Sequence, residues 1–219
     1  MSKKMIPLSP IDFKETQYSN LKSVENKIIL VGAFHEIIEL AEDNEVEIVG
    51  MIDNLIKDSY RNYKILCSDI DAINLPIEFK ILPLLITPDK PFIRKKLHDY
   101  FNKLGFGFTT LISKKSTISK SAQVDNGTIV QSEVNVSAES SIGKFVKLNT
   151  KCNIMHNAIV NDYTTIAPNA VILGNVKVGK LCYIGSNSTI LPSISICDDV
   201  TIGAGSVVTK TIKVAGTFY

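Results

Sequence analysis

One aliphatic position recurs every six residues along the second half of the chain. It runs Ile112, Ile118, Val124, Val130, Val136, Ile142, Leu148, Ile154, Val160, Ile166, Ile172, Val178, Ile184, Ile190, Ile196, Ile202, Val208 and Val214, all Ile, Val or Leu. Two residues ahead of it lies a second, mostly small register that includes Ser116, Ala122, Thr128, Ser140, Cys152, Ala158, Thr164, Ala170, Cys182, Ser188 and Ser206. A period of six fits neither an amphipathic helix nor an alternating strand. It fits a parallel β-helix with three short sides per coil, each side pointing one branched residue inward. Three hexads per coil give roughly six coils, a prism about 29 Å long at the spacing of neighbouring strands. The small register then falls near tight corners, and each coil is stabilised by stacking on the next.

Upstream the pattern changes. Lys27 to Val31 (KIILV) reads as a buried parallel strand, followed by Gly32 and by an amphipathic helix from about His35 to Glu42 with Ile37, Ile38, Leu40 and Ala41 inward. Val46 to Ile52 is a second strand ending at Asp53 and Asn54, which completes a βαβ unit. Phe79 to Ile86 (FKILPLLI) is a third strand candidate, weakened by Pro83. Pro91 to Leu104 reads as a basic amphipathic helix with Phe92, Ile93, Leu97, Tyr100, Phe101 and Leu104 on its apolar side, ended by Gly105 and Gly107. The expected organisation is an N-terminal extension over 1–26, a small α/β Rossmann-like domain over 27–105, and an all-β parallel β-helix over 106–219.

Composition narrows the function. A net charge of +2 with 21% charged residues leaves no basic stripe for nucleic acid. No apolar run is long enough for a signal peptide or a membrane span, so a cytoplasmic protein without membrane insertion is expected. Cys67, Cys152, Cys182 and Cys197 show no zinc spacing, and His35, His98 and His156 lie far apart in sequence, so no metal is assigned. Cys152 and Cys182 fall on the small register and read as packing.

Gly32 and Asp53, 21 residues apart, occupy the positions at which a Rossmann-like unit binds phosphate and ribose. The turn Gly32-Ala33-Phe34-His35 is not G-x-G-x-x-G, so a structural turn and a nucleotide-binding one are both open, and Asp53 is equally suited to capping a turn.

As a set, KIILVGAFHE, VGMIDN, ITPDKPFIRKKL, FTTLISKKSTISKSA, KLNTKCNIMHNAIV, TTIAPNAVILGNVKVG and TIGAGSVV run in the order found in bacterial sugar acetyltransferases of the left-handed β-helix type. That family includes enzymes that N-acetylate nucleotide-linked amino sugars and the sialic-acid O-acetyltransferases. The chain resembles it over about residues 27–214. The resemblance implies a left-handed coil, acetyl-CoA as co-substrate and a homotrimer with shared active sites. It also implies a general base in the stretch N-x6-H, matched here by Asn149 and His156. Gly174 lies one 18-residue coil beyond His156, where its backbone N–H can face a developing oxyanion. Where the family carries an acid after the base, this chain has Asn157, and Glu139, one coil earlier, is the candidate replacement. Thr165 stands where relatives carry a second His, and the family's G-A-G-G-H turn is here Gly32-Ala33-Phe34-His35, shortened by one residue.

These readings predict an acetyl-CoA-dependent N-acetyltransferase acting on the amino group of a nucleotide-linked amino sugar in bacterial glycan biosynthesis. The alternatives are sugar O-acetylation on the same scaffold, a catalytically weakened binding homologue, or a structural solenoid. The expected catalytic set is His156, Gly174, Asn149 and Glu139. Gly174, Gly185, Gly203, Ala204 and Gly205 are expected to line the coenzyme groove, and Gly32, His35, Asp53, Asn54, Asn157 and Thr165 to meet the sugar nucleotide.

Overall fold

The structure, a computed structural model, describes residues 26–219; the expected extension over 1–26 otherwise lies outside the described residues. Strand β1 (Lys27–Val31), helix α1 (His35–Asp43) and strand β2 (Glu47–Ile52) form the expected βαβ unit. β3 (Ser59–Tyr60), β4 (Tyr63–Cys67) and β5 (Leu84–Ile86) complete a mixed five-stranded sheet of order β3-β4-β2-β1-β5, in which β3 alone runs antiparallel to its neighbour. Alternation along β1 assigns Ile28 and Leu30 to the side covered by α1, and Ile29 and Val31 to the side covered by Phe101 of α3 (Pro91–Lys103).

Two expectations are corrected here. The stretch from Phe79 to Ile86 is not one strand: Pro76 starts a short helix, α2 (Ile77–Lys80), and only Leu84–Ile86 joins the sheet. In α3, Phe92 and Ile93 are exposed while Arg94 is fully buried. Arg94 reaches back across the first turn of α3 to the carbonyls of Pro88 and Asp89, and outward to the carbonyls of Phe145, Tyr163 and Thr164 and the hydroxyl of Thr165. Burial lowers its pKa to about 10. One guanidinium thus clasps α3 to the repeat region, satisfying carbonyls that water cannot reach.

From Leu111 the chain winds into three parallel sheets of two- and three-residue strands, of seven, six and five strands respectively. The first face starts at Leu111–Ile112, the second at Thr117–Ile118 and the third at Gln123–Val124. Residues pair with residues 18 positions on, as in Asn135↔Asn153 and Thr165↔Tyr183. The inward register from Val130 to Ile202 is essentially inaccessible and forms one continuous core with Cys152, Ala158, Ala170 and Cys182 of the small register. Ile112, at the first end of that register, is 38% exposed because no further coil covers it, whereas in the last coil the register slips by two residues: Ile212 and not Val214 pairs with Ile196, Phe218 pairs with Ile202, and the expected inward Val214 is 72% exposed. The fold therefore matches the repeat closely in the middle and loosens at its ends.

A third register sets the corners. Every sixth residue from Glu133 to Asp199 has positive φ, and Gly127 and Gly205 extend the series at either end. Asn157, Asn169, Asn175 and Asn187 suit that conformation, whereas Phe145, Tyr163 and Leu181 do not by themselves. All three stack at the third corner, where the chain passes from the third face to the first. Phe145 and Tyr163 lie parallel at 5.5 Å, and His98 of α3 packs on Phe145 at 4.1 Å and takes part in a 2.9 Å hydrogen bond with the Tyr163 hydroxyl. The aromatic contacts offset the backbone cost and dock α3. Leu111 and Ile129 on the first face meet the α1 side of the sheet, so the α/β layer lies over that face.

Candidate active site

The second corner, between the second and third faces, carries the column Ala138, His156, Gly174 and Pro192 at one position and Glu139, Asn157, Asn175 and Ser193 at the next. Backbone bonds tie successive coils there: Asn157 N–H donates to Ala138 O, Asn175 N–H to His156 O and Ser193 N–H to Gly174 O, at 2.9–3.1 Å. The exposed His156 ring lies directly over Gly174. A Cβ built on Gly174 would sit 2.6 Å from both Cε1 and Nε2 of the ring, so only glycine leaves the imidazole this place. His156 Nδ1 is 3.0 Å from Asn157 Oδ1. With that oxygen as acceptor, Nδ1 carries the proton and Nε2 keeps the lone pair of a base. The Gly174 N–H donates to no acceptor among the described residues.

The other expected catalytic residues do not join this group. Asn149 is 5% exposed at the first corner, between the first and second faces; the six residues that separate it from His156 carry the chain across the whole second face. Glu139 shares the second corner, but makes no hydrogen bond to His156, and its backbone N–H binds Ser121 Oγ. Thr165 is corrected outright. It is fully buried on the first face, its hydroxyl donating to Asp89 O at 2.6 Å and accepting from Arg94 at 2.9 Å, and it is closed to any substrate. Nine residues are half a coil, which carries the chain from the His156 corner to the opposite side of the prism.

Gly185, Gly203, Ala204 and Gly205 line the first corner in successive coils. There the backbone of one coil approaches the next so closely that a Cβ on Gly185 would lie 2.6 Å from Ala204 N, while Gly205, at positive φ, borders open space. A narrow glycine-lined edge is the kind of surface along which an extended chain can lie.

The third group gathers at the C-terminal ends of β1, β2 and β5, where ligands bind in open α/β sheets. Gly32 has φ +93°, and a Cβ there would meet Thr87 Oγ1 at 2.6 Å, so the sequence requires glycine. Asp53 Oδ2 accepts from Ala33 N–H, and Oδ1 from Leu55 and Ile56 N–H, at 2.8–3.0 Å. Burial pushes the Asp53 carboxyl up, but the three donors outweigh it and hold the pKa below its ordinary value. Asp53 is therefore a turn lock first. His35 stands exposed at the start of α1 with its ring 5.2 Å from Phe34. Asn54 pairs with Asp69.

Sequence reasoning missed a cation. Lys147, on the outward side of the first face, is wholly buried: Nζ donates to Thr87 O at 2.8 Å, lies 2.8 Å from Asp89 Oδ1 and sits 4.6 Å above the Phe34 ring. Burial lowers its pKa and Asp89 opposes that shift. Gly32, Ala33, Phe34, Asp53, Asp89 and Lys147 border a crevice of about 200 Å³. The small-register thiols Cys152 and Cys182 are fully buried, and burial raises both, Cys182 to about 11. Among the described residues no helix is long and apolar enough to cross a membrane, and none of their His, Cys, Asp and Glu side chains group as a metal site.

A family model described as the hexapeptide repeat of succinyl-transferase matches residues 175–210. No curated protein matches the chain. Several solved structures share its fold over most of its length. The acetyltransferase domain of PglB from Neisseria gonorrhoeae, also solved with acetyl coenzyme A, superposes with a TM-score of 0.81 at 24% identity, covering 88% of this chain and 95% of that one. A mutant perosamine N-acetyltransferase from Caulobacter crescentus, in complex with CoA and GDP-perosamine, gives 0.81 at 20% identity, covering 85% and 90%. WeeI from Acinetobacter baumannii gives 0.78 at 24% identity, covering 87% and 94%. The chain thus carries hexapeptide repeats and has the fold of bacterial sugar acetyltransferases, which supports the left-handed coil for its β-helix.

Proposed function

We propose that the chain is an acetyl-CoA-dependent N-acetyltransferase acting on the amino group of a nucleotide-linked amino sugar in bacterial glycan biosynthesis. The observation that carries this reading is the His156 ring seated on the bare backbone of Gly174, with its Nδ1 held by Asn157. Nε2 takes the proton from the sugar ammonium, and the freed amine attacks the thioester carbonyl. The Gly174 N–H faces the oxyanion that develops; as it collapses, the C–S bond breaks, the imidazolium returns its proton to the departing sulfur, and the nitrogen loses its second proton to solvent to leave the amide. No covalent enzyme intermediate is needed once the two substrates are aligned. Asn157 orients the ring but, being neutral, adds no charge to stabilise the imidazolium.

The placement of the three residue groups supports the expected homotrimer. The crevice at the sheet edge lies over the first face, while His156 lies at the corner opposite that face. A sugar nucleotide held in the α/β layer of one copy reaches a base only on a neighbouring copy. The glycine-lined first corner and the His156 corner likewise flank the second face from opposite sides, as an acetyl-CoA shared between adjacent β-helices requires. In this reading residues 27–105 hold the sugar nucleotide and 106–219 perform the transfer, in the cytoplasm.

The test is release of free thiol from acetyl-CoA with UDP-, dTDP- and GDP-linked amino sugars, with the product treated with hydroxylamine. Amide linkage predicts an acetyl group that survives. Acetyl removed by hydroxylamine transfers the reading to O-acetylation, and no thiol release with any amino sugar rejects it.

A further inference from the structure

The larger crevice beside Asp53, about 370 Å³, holds an acidic side chain that the sequence reading passed over. Its walls are aliphatic, formed by Ile52, Leu55, Pro88, Ile93 and Leu97. Leu55 is 91% exposed and Ile93 41% exposed, so flat apolar surface stands open at its mouth, suited to a planar ring. Asp53 borders it but already accepts three backbone hydrogen bonds. The remaining polar groups are Asn54 and Asp69.

These two form a reciprocal pair. Asp69 N–H donates to Asn54 Oδ1 at 2.9 Å, which fixes the orientation of the amide, and Asn54 Nδ2 donates to Asp69 Oδ2 at 2.6 Å. One hydrogen of Nδ2 is left over, and Asp69 Oδ1 accepts no hydrogen bond from a described residue. The edge therefore offers a donor, an acceptor and a second acceptor in a row, which is the sequence of groups on the pairing edge of cytosine.

We infer that Asn54 and Asp69 read the base of the bound nucleotide and select guanine. This rests on the reading that the crevice takes a nucleotide. Guanine presents O6, N1–H and its 2-amino group in the order that matches Asn54 Nδ2, Asp69 Oδ2 and Asp69 Oδ1, with two charge-assisted bonds to the carboxylate. Uracil and thymine match the first two positions and place O2 against Oδ1. Adenine sets its amino group against the Asn54 donor. Asp69 is half-buried, and burial raises its carboxyl even though Asn54 pulls the other way.

Calorimetric titration of the full chain with GDP, UDP and dTDP tests the inference. GDP is expected to bind about tenfold or more tightly than either pyrimidine nucleotide, as one bidentate contact discriminates between bases. Asp69→Asn keeps the shape but turns the last acceptor into a donor, which matches O2 of uracil, so the GDP:UDP preference is expected to fall at least about tenfold. Asn54→Leu, which removes the donor that faces O6 of guanine and equally O4 of uracil and thymine, provides a second variant and is expected to weaken all three nucleotides. UDP or dTDP binding as tightly as GDP, an unchanged preference in Asp69→Asn, or unchanged nucleotide affinity in Asn54→Leu overturns guanine selection while leaving the nucleotide crevice standing. Failure of all three nucleotides to bind overturns the crevice reading and this inference with it.

Discussion

Gly174→Ala isolates the position of the His156 ring from every other property of the site. Gly174 does not lie at positive φ, and the same column carries Ala138 and Pro192, so an alanine backbone fits without strain. The added methyl, however, would stand 2.6 Å from Cε1 and Nε2. Carbon atoms rest about 3.5–4.0 Å apart, so the ring must retreat by about 1 Å or rotate away from Asn157. The ring is exposed and free to move, so the thermal midpoint is expected to change little. A displacement of about 1 Å at the reacting groups costs about 10²-fold in turnover. The backbone N–H of residue 174 survives the change, so the loss reports on the base and not on the oxyanion donor. Steady-state thiol release and a melting curve on the same preparation measure both quantities. Wild-type kcat in Gly174→Ala with an unchanged melting temperature would refute the claim that Nε2 must sit over Gly174.

Other expectations follow from the same structure. Asp53→Ala removes the acceptor of three backbone donors and is expected to destabilise by about 1–2 kcal/mol in denaturant titration, weakening both substrates alike; a selective rise in the sugar-nucleotide KM would instead restore direct binding by Asp53. Because the folded pKa of Asp53 is depressed, its contribution is present above the ordinary carboxylate range and fades as pH falls through the folded value, so Asp53→Ala should flatten the acid limb of the stability curve. Ile172→Ala, at a fully buried inward position, is expected to cost about 2–5 kcal/mol, whereas Val214→Ala, 72% exposed where the last coil slips out of register, should stay within about 0.5 kcal/mol; equal costs in chemical denaturation would undo the account of the slipped last coil. Light scattering is expected to give a trimer, and an active monomer would contradict the shared site.

The hexad made the β-helix legible because one side chain per side must fill the prism axis, and no other fold repeats at six. It also made His156 and Gly174 legible, since one coil of separation places residues on top of one another whatever their neighbours do. The same arithmetic explains the failures. Separations of seven and nine residues are not multiples of a coil, so Asn149 and Thr165 face other sides of the prism than His156. The corner register was hidden because Phe145, Tyr163 and Leu181 hold it through tertiary contacts, against their backbone preference. The periodicity gives no sign that Arg94 and Lys147 are buried, and only the docking of the α/β layer on the first face shows what surrounds them. Asp69 sits in a connection without periodicity, where sequence offers no sign that it meets Asn54.

Acetyl transfer by His156→Ala, measured beside direct acetyl-CoA binding, tests the central claim most directly. With the amino-sugar nucleotide that the wild type uses best, kcat is expected to fall by about 10²–10⁴-fold while acetyl-CoA affinity stays nearly constant. Turnover close to the wild-type rate in that variant would contradict the assignment of His156 as the base.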